Sequence, residues 1–463
     1  MTSHFSRRAL LASGASLTGL AIAPPLRART TGQRFPDSRA LMRMIEPSLK
    51  QLDAAARIER LGQSAGGRPI DLVSIGNGPR SALIVGAPHP NEPIGCLTIV
   101  RLIERLAGDR TFRDRSGFTW HFIPAIDVDG LDLNAGWFQG PLTLDRYFRD
   151  FFRPAFSVQP EYAFPLNMPG YRFDAATPEN LCWQRAIDIA RPQLQSSLHG
   201  NDSSGAFYLL SRSDAALATT LSRQPAARGI AINDLGEPDS QLDRYAPGVF
   251  SFFEVGPWLR KQQQAGAKLS EIWSAGRSSA EFAAERFGTL SVTCEVPLWL
   301  DPRQFDRRPS QYNTAAVARL QLEQAAENLW LLTRAAPLLD AASSSPETHA
   351  LRLALNEALA ALPGQKRALE SQVHGDDRGN RVSLGDLVQL EPGTTAMRPP
   401  AMLARLARLE RSPDLAGAAE TILSRRIAAF QATTMLRPIP TPITTALQMA
   451  SITTAMAMLR AAR

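Results

Sequence analysis

The sequence is organised around the stretch Ser81-Ala82-Leu83-Ile84-Val85-Gly86-Ala87-Pro88-His89-Pro90-Asn91-Glu92-Pro93-Ile94-Gly95. Its apolar first part is typical of a strand that is buried on both faces of a parallel sheet. Pro93 suits the first turn of a helix, where its missing N–H costs no hydrogen bond. We therefore expect His89 and Glu92 in a loop at the carboxyl end of a strand, where open α/β sheets bind ligands.

Strands and helices are predicted to alternate on both sides of this stretch. The predicted strands lie within residues 66–76, 117–126, 196–198, 206–210 and 289–297, and the predicted helices within 37–61, 94–106, 178–193 and 278–286. This alternation predicts an α/β fold with a mixed, largely parallel sheet flanked by helices. Residues 134–178 show no periodicity, and such a long irregular segment within a compact domain is usually a functional loop.

The two ends of the chain differ from this α/β part. Paired arginines before a mildly apolar run predict a twin-arginine export signal over residues 1–30, and hence a periplasmic or secreted protein that meets the twin-arginine export machinery. The main domain is predicted over residues 38–330, and a helical C-terminal extension over 331–463. Residues 443–459 contain too few strictly apolar residues for a stable membrane span, so they predict a packing helix.

Composition narrows the class of protein. The chain has 463 residues, of which 44% are hydrophobic and 21% charged, and this is a globular composition. The net charge of +7 is spread along the chain without a basic run among aromatic residues, so we expect no nucleic-acid partner. Cys96, Cys182 and Cys294 lie far apart in apolar contexts, and we expect buried thiols rather than disulfides or a zinc finger.

Three residues at predicted strand ends form a candidate metal site. Catalytic zinc commonly takes three ligands from histidine and carboxylate side chains and leaves a fourth position for water. His89 and Glu92 provide two such ligands from one loop, and His199 follows another predicted strand. The other histidines lie in the leader, inside a strand or in the C-terminal extension, so His199 is the natural third ligand. We expect one Zn²⁺ ion per chain.

Several short motifs in order resemble the zinc metallocarboxypeptidase family over about residues 55–300. The motifs are residues 66–70, 85–92, 124–130, 176–180, 198–199 and 292–295. The resemblance implies a zinc carboxypeptidase-like fold for residues 38–330, with His89, Glu92 and His199 as zinc ligands. It also implies that Glu295 is the general base and acid.

Physical reasoning supports a carboxylate in the role of Glu295. Zinc lowers the pKa of bound water toward about 7, and a neighbouring carboxylate can take the proton and later give it to the leaving amine. Glu254 is a rival base, because residues 252–257 and 91–95 are similar to the related succinylglutamate desuccinylase and aspartoacylase family, which cleaves N-acyl amino acids. We favour Glu295 because residues 290–296 are more typical of a core strand.

A carboxypeptidase also needs a cation for the free carboxylate at the end of its substrate, and the fork of arginine suits that task. The family uses an Asn-Arg pair between the second and third ligands, and this chain has no such pair there. The candidates in the irregular segment are Arg146, Arg149, Arg153 and Arg172, with Arg149 or Arg153 preferred. An arginine can also stabilise the oxyanion, which makes Arg149 a candidate catalytic residue. Tyr245 is a candidate for closing over the substrate.

The sequence thus predicts an exported, zinc-dependent metallocarboxypeptidase that hydrolyses peptides, cell-wall peptides or similar small molecules. Two alternatives remain at this stage. One is an N-acyl amino acid deacylase that uses the same metal ligands. The other is an inactive zinc-binding recognition protein that has kept the scaffold.

Overall fold

A computed structural model of the chain describes residues 34–235, 242–374, 381–390 and 393–461. The predicted export signal lies outside the described residues. The strands are β1 (Ala56–Gln63), β2 (Pro69–Ile75), β3 (Arg80–Val85), β4 (Phe118–Ile123), β5 (Leu166–Met168), β6 (Tyr171–Phe173), β7 (Leu194–Asn201), β8 (Phe207–Leu210), β9 (Arg244–Ala246), β10 (Val249–Ser251), β11 (Leu290–Pro297), β12 (Trp299–Leu300), β13 (Pro309–Asn313), β14 (Arg381–Ser383) and β15 (Arg437–Pro438).

The helices account for most of the remaining chain. They are α1 (Ser38–Leu52), α2 (Ile94–Gly108), α3 (Arg110–Arg115), α4 (Val128–Leu133), α5 (Ala135–Phe138), α6 (Leu144–Arg149), α7 (Pro178–Ala190), α8 (Ala215–Arg223), α9 (Val255–Gln264), α10 (Leu269–Ile272), α11 (Ser279–Phe287), α12 (Thr314–Leu339), α13 (Pro346–His374), α14 (Leu384–Leu390), α15 (Gly393–Leu409), α16 (Pro413–Thr433) and α17 (Thr441–Ala461).

Nine of the described strands form one mixed sheet in the order β1-β2-β4-β3-β7-β11-β8-β10-β9. The central strands β4, β3, β7 and β11 are parallel to one another. Antiparallel pairs β1–β2 and β2–β4 lie on one side of them, and β8 pairs antiparallel with β11 on the other. This confirms the predicted fold class. Because β3, β7 and β11 are parallel, their carboxyl ends meet at the same edge of the sheet.

The central strands are buried on both faces, as the apolar run in β3 predicts. Residues 82–85 are fully buried, and helix α2 packs against the neighbouring strand β7. Gly95 at the start of α2 permits this contact, because a Cβ there would lie 2.7 Å from Leu198 Cβ and 2.8 Å from the Leu198 carbonyl oxygen. The helix that follows the His89–Glu92 loop is therefore held directly against the strand that carries His199.

The C-terminal part is largely helical, as predicted, but it shares its hydrophobic core with the sheet. One cluster of buried apolar residues extends from Phe35 to Met456. Helix α17 packs against α2, β7 and β11, whereas α12, α13 and α15 pack on one another. The domain boundary at residue 330 stays a prediction. Helix α17 lies beyond that boundary in sequence and belongs to the layer that covers the sheet. None of the helices in the described ranges has the length and apolar character needed to cross a membrane.

The predicted helix over residues 37–61 is wrong in its second half. Helix α1 ends at Leu52, and residues 56–63 form β1 at the edge of the sheet. An edge strand buries few of its side chains, and Ile58 in β1 is 53% exposed. An irregularity between Arg60 and Gly62 also limits the alternation of apolar and polar residues in β1 to its first half, which is too short to identify a strand.

The buried carboxyl of Asp127 should make stability depend on pH. Asp127 accepts a hydrogen bond from the Gly130 N–H at 2.8 Å at the start of α4, and burial raises its pKa to about 7. A carboxyl group with a higher pKa in the folded than in the unfolded state binds its proton more tightly when folded. Its contribution to stability therefore falls as the pH rises from about 4 to about 7.

Asp127→Asn keeps an oxygen acceptor for the Gly130 N–H and removes the titration. Between pH 5 and pH 8, the free energy of unfolding of the parent should fall by at least about 1 kcal/mol relative to that of the variant. One pKa unit corresponds to about 1.36 kcal/mol. Urea unfolding at the two pH values measures this. Asp109→Asn, at the exposed N-cap of α3, is the matched control. Equal pH dependence in Asp127→Asn and the parent would contradict the prediction.

Candidate active site

The loop between β3 and α2 places His89 beside Glu92. The Glu92 N–H donates to the His89 carbonyl at 3.0 Å, and this closes a tight turn. Earlier in the loop, Ala87 has a φ of 47°, a left-handed conformation that costs a non-glycine residue about 1–2 kcal/mol. Backbone strain of this kind is concentrated at functional sites.

His199, close to the end of β7, meets the two residues of this loop. Its Nδ1 lies 3.1 Å from His89 Nδ1 and 3.2 Å from Glu92 Oε2. His89 Nδ1 in turn lies 3.1 Å from both carboxylate oxygens of Glu92. The three residues are only 4–6% exposed. The structure thus brings the three predicted ligands together.

This triad has the dimensions of a zinc site. Ligand atoms about 2.1 Å from a tetrahedral zinc ion lie about 3.4 Å from one another, close to the distances found here. One ligand atom from each of the three residues lies within 4.8 Å of the other two. Two imidazole nitrogens and a carboxylate are also a donor set that zinc prefers. The residues therefore fit a zinc ion.

A fourth residue, Glu161, orients His199. Glu161 Oε2 lies 2.6 Å from His199 Nε2, and its other oxygen accepts hydrogen bonds from Ser197 and Ser279. A proton held on Nε2 by a carboxylate directs the Nδ1 lone pair of the ring toward a metal. Sequence reasoning missed Glu161. It lies in the irregular segment 134–178, where only arginines were considered, and the available signal was that Glu161 is the one glutamate of that segment.

The charges of the site also suit a cation. Burial, assisted by Arg153, lowers the pKa of His89 to about 4, so its ring is neutral. Burial also opposes a charge on His199, but Glu161 and Glu92 hold the pKa of His199 well above its usual value. Burial disfavours ionisation of Glu92, yet the two histidines and Arg153 hold its pKa well below the usual value. A metal at His199 Nδ1 must therefore displace a proton, which links metal binding to proton release.

Glu92 is held from two further directions. Its Oε2 accepts a hydrogen bond from the Gly200 N–H at 3.0 Å. Its Oε1 lies 2.8 Å from Arg153 Nη1, and the Arg153 side chain is 23% exposed. Arg153 is therefore the predicted arginine that reaches the metal triad.

Glu295 lies beside the triad, whereas Glu254 does not. In the pairing of β11 with β7, Glu295 is opposite His199, and its Oε1 lies 3.8 Å from His199 Nδ1. Glu295 is buried and lines the same pocket as His89 and His199. Glu254 is exposed at the start of α9, outside the residues that line this pocket. The geometry supports Glu295 rather than Glu254 as the carboxylate next to a metal-bound substrate.

The walls of the pocket are largely apolar. Beyond the two histidines of the triad and the neighbouring Glu161 and Glu295, the lining residues are Tyr162, Leu209, Leu242, Phe252, Phe253, Ser278 and Thr293. The Tyr162 ring stacks against the ring of His89, with 6.3 Å between the ring centroids. None of these lining residues from the described ranges is an arginine or lysine. The pocket therefore suits an apolar or aromatic group.

Within the described residues, none of the predicted substrate residues lines this pocket, although Arg153 contacts Glu92 of the triad. The guanidinium of Arg149 contacts Asp145 and Glu420. Arg146 donates to the Gly136 carbonyl, and Arg172 pairs with Asp174 at the surface. These ion pairs direct Arg149 toward Asp145 and α16, and its catalytic role stays a prediction that this geometry does not favour. Tyr245 is half-buried and packs against the hydrophobic core rather than lining the pocket.

The C-terminal helices contact the segments that surround the site. Glu357 of α13 accepts hydrogen bonds from the N–H groups of Phe156 and Ser157, shortly before Glu161. Arg398 of α15 lies 3.1 Å from Asp202, which immediately follows strand β7. The C-terminal extension thus forms hydrogen bonds and ion pairs with the segment before Glu161 and with the end of the strand that carries His199.

Part of the chain matches a protein-family model, and the structure has similarities among solved structures. Residues 43–143 match the family model for zinc carboxypeptidases. The structure resembles a metallo-carboxypeptidase from Burkholderia cenocepacia (18% identity, 56% of this chain and 60% of that chain, TM-score 0.34). It also resembles carboxypeptidase A from Helicoverpa armigera (14%, 57% and 65%, 0.39) and a metallo-carboxypeptidase from Pseudomonas aeruginosa (19%, 57% and 60%, 0.33).

The matched region spans less than two thirds of each of these three chains. Comparison with curated proteins gives no match. The segment that matches the zinc carboxypeptidase model, residues 43–143, holds the predicted ligands His89 and Glu92.

Proposed function

We propose that the chain is a zinc-dependent metallocarboxypeptidase with one zinc ion, which hydrolyses the C-terminal bond of peptides or cell-wall peptides. One observation carries the proposal. The triad of His89, Glu92 and His199 lies beside Glu295 at the carboxyl ends of parallel strands, and both of its histidines line one pocket with Glu295. A metal triad beside a carboxylate is the arrangement that metal-assisted hydrolysis requires.

The residues of the chain divide the chemistry between them. A bound zinc ion would lower the pKa of water and polarise the scissile carbonyl. Glu295 accepts the proton of the attacking water and returns it to the leaving amine. Glu161 fixes the ring of His199 throughout, and the apolar walls exclude bulk water from the charges.

Arg153 is the cation proposed for the substrate. Its Nη1 already pairs with Glu92, so a bound carboxylate or a developing oxyanion would share the guanidinium with that ligand. Arginine has five N–H donors and can serve two acceptors at once. Apolar and aromatic side chains line the rest of the pocket, which favours an apolar residue at the cleaved end.

The alternatives are less well supported by the geometry. The deacylase hypothesis gave the role of base to Glu254, which is exposed and outside the pocket. An inactive recognition protein would keep the metal triad without needing a buried glutamate beside it. Substituting Glu295 therefore separates the proposals.

We also propose that the protein is exported by the twin-arginine pathway, on the evidence of Arg7 and Arg8 in the leader. Replacing both with lysine should keep the protein in the cytoplasm of the producing cell. Cell fractionation followed by immunoblotting measures this. Equal export of the double variant and the parent would contradict the proposal.

Glu295→Gln should abolish hydrolysis without loss of zinc. The amide keeps the size of the side chain but cannot accept the proton, so we expect the rate to fall by about 10²–10⁴-fold. Digestion of a peptide library, read by mass spectrometry, measures activity, and elemental analysis measures zinc. Glu254→Gln is the matched control and should remain active.

The opposite pattern, with Glu295→Gln active and Glu254→Gln inactive, would favour the deacylase. If the zinc-loaded parent cleaves neither peptides nor N-acyl amino acids, the recognition protein is favoured.

His199→Ala should lose stoichiometric zinc, because it removes one of three protein ligands and leaves Glu92 with fewer charge partners. Elemental analysis after dialysis against metal-free buffer gives the zinc content. His349→Ala, which removes an exposed histidine of α13, should keep the zinc content of the parent. Full retention of zinc by His199→Ala would exclude the three-ligand site.

A further inference from the structure

Gln448 of helix α17 connects three elements of the site although it lies far away in sequence. Its side chain is fully buried. Its Nε2 donates to the His199 carbonyl at 2.7 Å and lies 3.3 Å from the Cys294 carbonyl. Its Oε1 accepts a hydrogen bond from Thr98 Oγ1 of α2 at 2.6 Å. One amide group thus joins α2 to the strands that carry His199 and Glu295.

The sheet explains why Glu92 receives a backbone hydrogen bond at this position. The register of β3 with β7 ends with the pair Val85 and Ser197, because the chain leaves β3 to form the His89–Glu92 loop. The Gly200 N–H lies beyond that last pair, and Glu92 of the loop supplies an acceptor that β3 no longer provides. The His199 carbonyl belongs to the same peptide group and points the opposite way, where Gln448 donates to it.

The peptide group between His199 and Gly200 is therefore held on both sides. Gln448 donates to its carbonyl, and its N–H donates to Glu92 Oε2 at 3.0 Å. The hydrogen bonds run in one direction, from Thr98 through Gln448 and this peptide group to the Glu92 carboxylate. Hydrogen bonds in such a chain polarise and strengthen one another.

We propose that Gln448 is a positioning residue of the metal centre, which fixes the backbone of His199 and, through the peptide N–H of Gly200, the carboxylate of Glu92. The proposal rests on the proposed zinc site. It gives the C-terminal helix α17 a function in metal binding, although that helix contributes no ligand of its own. The contact of Gln448 Nε2 with the Cys294 carbonyl also fixes the backbone of β11 next to Glu295.

Gln448→Met tests the proposal, since methionine has a similar size and cannot donate the hydrogen bond. We expect zinc affinity, measured by competition with a chromogenic chelator, to fall by about 10–100-fold, as it does when an outer partner of a ligand is removed. The visible spectrum of the Co²⁺-substituted protein should also shift, because the ligand geometry changes. Leu447→Met, a buried change of similar volume one residue away, is the control and should alter neither.

A folded Gln448→Met variant with the zinc affinity and Co²⁺ spectrum of the parent would overturn the proposal. If Gln448→Met does not fold, Thr98→Val makes the test, because it removes the hydrogen bond to Gln448 Oε1 and otherwise only a longer bond of the same hydroxyl to the Ile94 carbonyl within α2. That variant should weaken zinc binding by a smaller factor and shift the spectrum in the same way, and unchanged values would overturn the proposal. A parent protein that binds no zinc would instead refute the proposed function.

Discussion

The site depends on the charge of one buried carboxylate, that of Glu92. An ionised carboxylate that is 6% exposed must be compensated by its neighbours, since burial alone would drive it to take up a proton. Nδ1 of His89, Nδ1 of His199, the guanidinium of Arg153 and the Gly200 N–H all lie within 3.2 Å of its oxygens. These groups come from the loop after β3, from β7 and from the irregular segment. The charge of Glu92 consequently determines how these three parts of the chain must meet.

Much of this arrangement could be predicted from sequence because it follows from strand order. A buried apolar run followed by His89 and Glu92 identifies a strand end, and parallel strands bring their ends to one edge. The same reasoning identified His199, whereas Glu295 was implied by the resemblance to zinc metallocarboxypeptidases and preferred over Glu254 because it lies in a predicted core strand. It could not choose among the arginines, because that choice depends on which ion pairs the loop forms. Arg149 forms ion pairs with Asp145 and Glu420. Of the four candidate arginines, Arg153 is the one that pairs with Glu92.

Other parts of the site left no local signal in the sequence. Glu161 acts through His199, and its contact arises from the path of an irregular loop. Gln448 lies 350 residues after Thr98, its hydrogen-bonding partner, and a glutamine in a mainly apolar helix gives no indication of what it contacts. The strand β1 was missed for a different reason, since an exposed edge strand is specified by pairing with β2 rather than by its own pattern.

The C-terminal helices contact the segments that surround the site. Glu357 holds the loop before Glu161, Arg398 pairs with the residue that follows β7, and Gln448 reaches the His199 backbone. Each contact fixes a segment that carries a functional side chain. Such outer support matters because a metal site tolerates only small errors in the position of its ligands.

The most direct measurement is a crystal structure of the zinc-loaded protein with anomalous diffraction data at the zinc absorption edge. The account predicts one strong peak about 2.1 Å from Nδ1 of His89, from Nδ1 of His199 and from a carboxylate oxygen of Glu92, on the pocket side that faces Glu295. A peak at another set of residues, or a fully loaded protein without a peak at this triad, would contradict it.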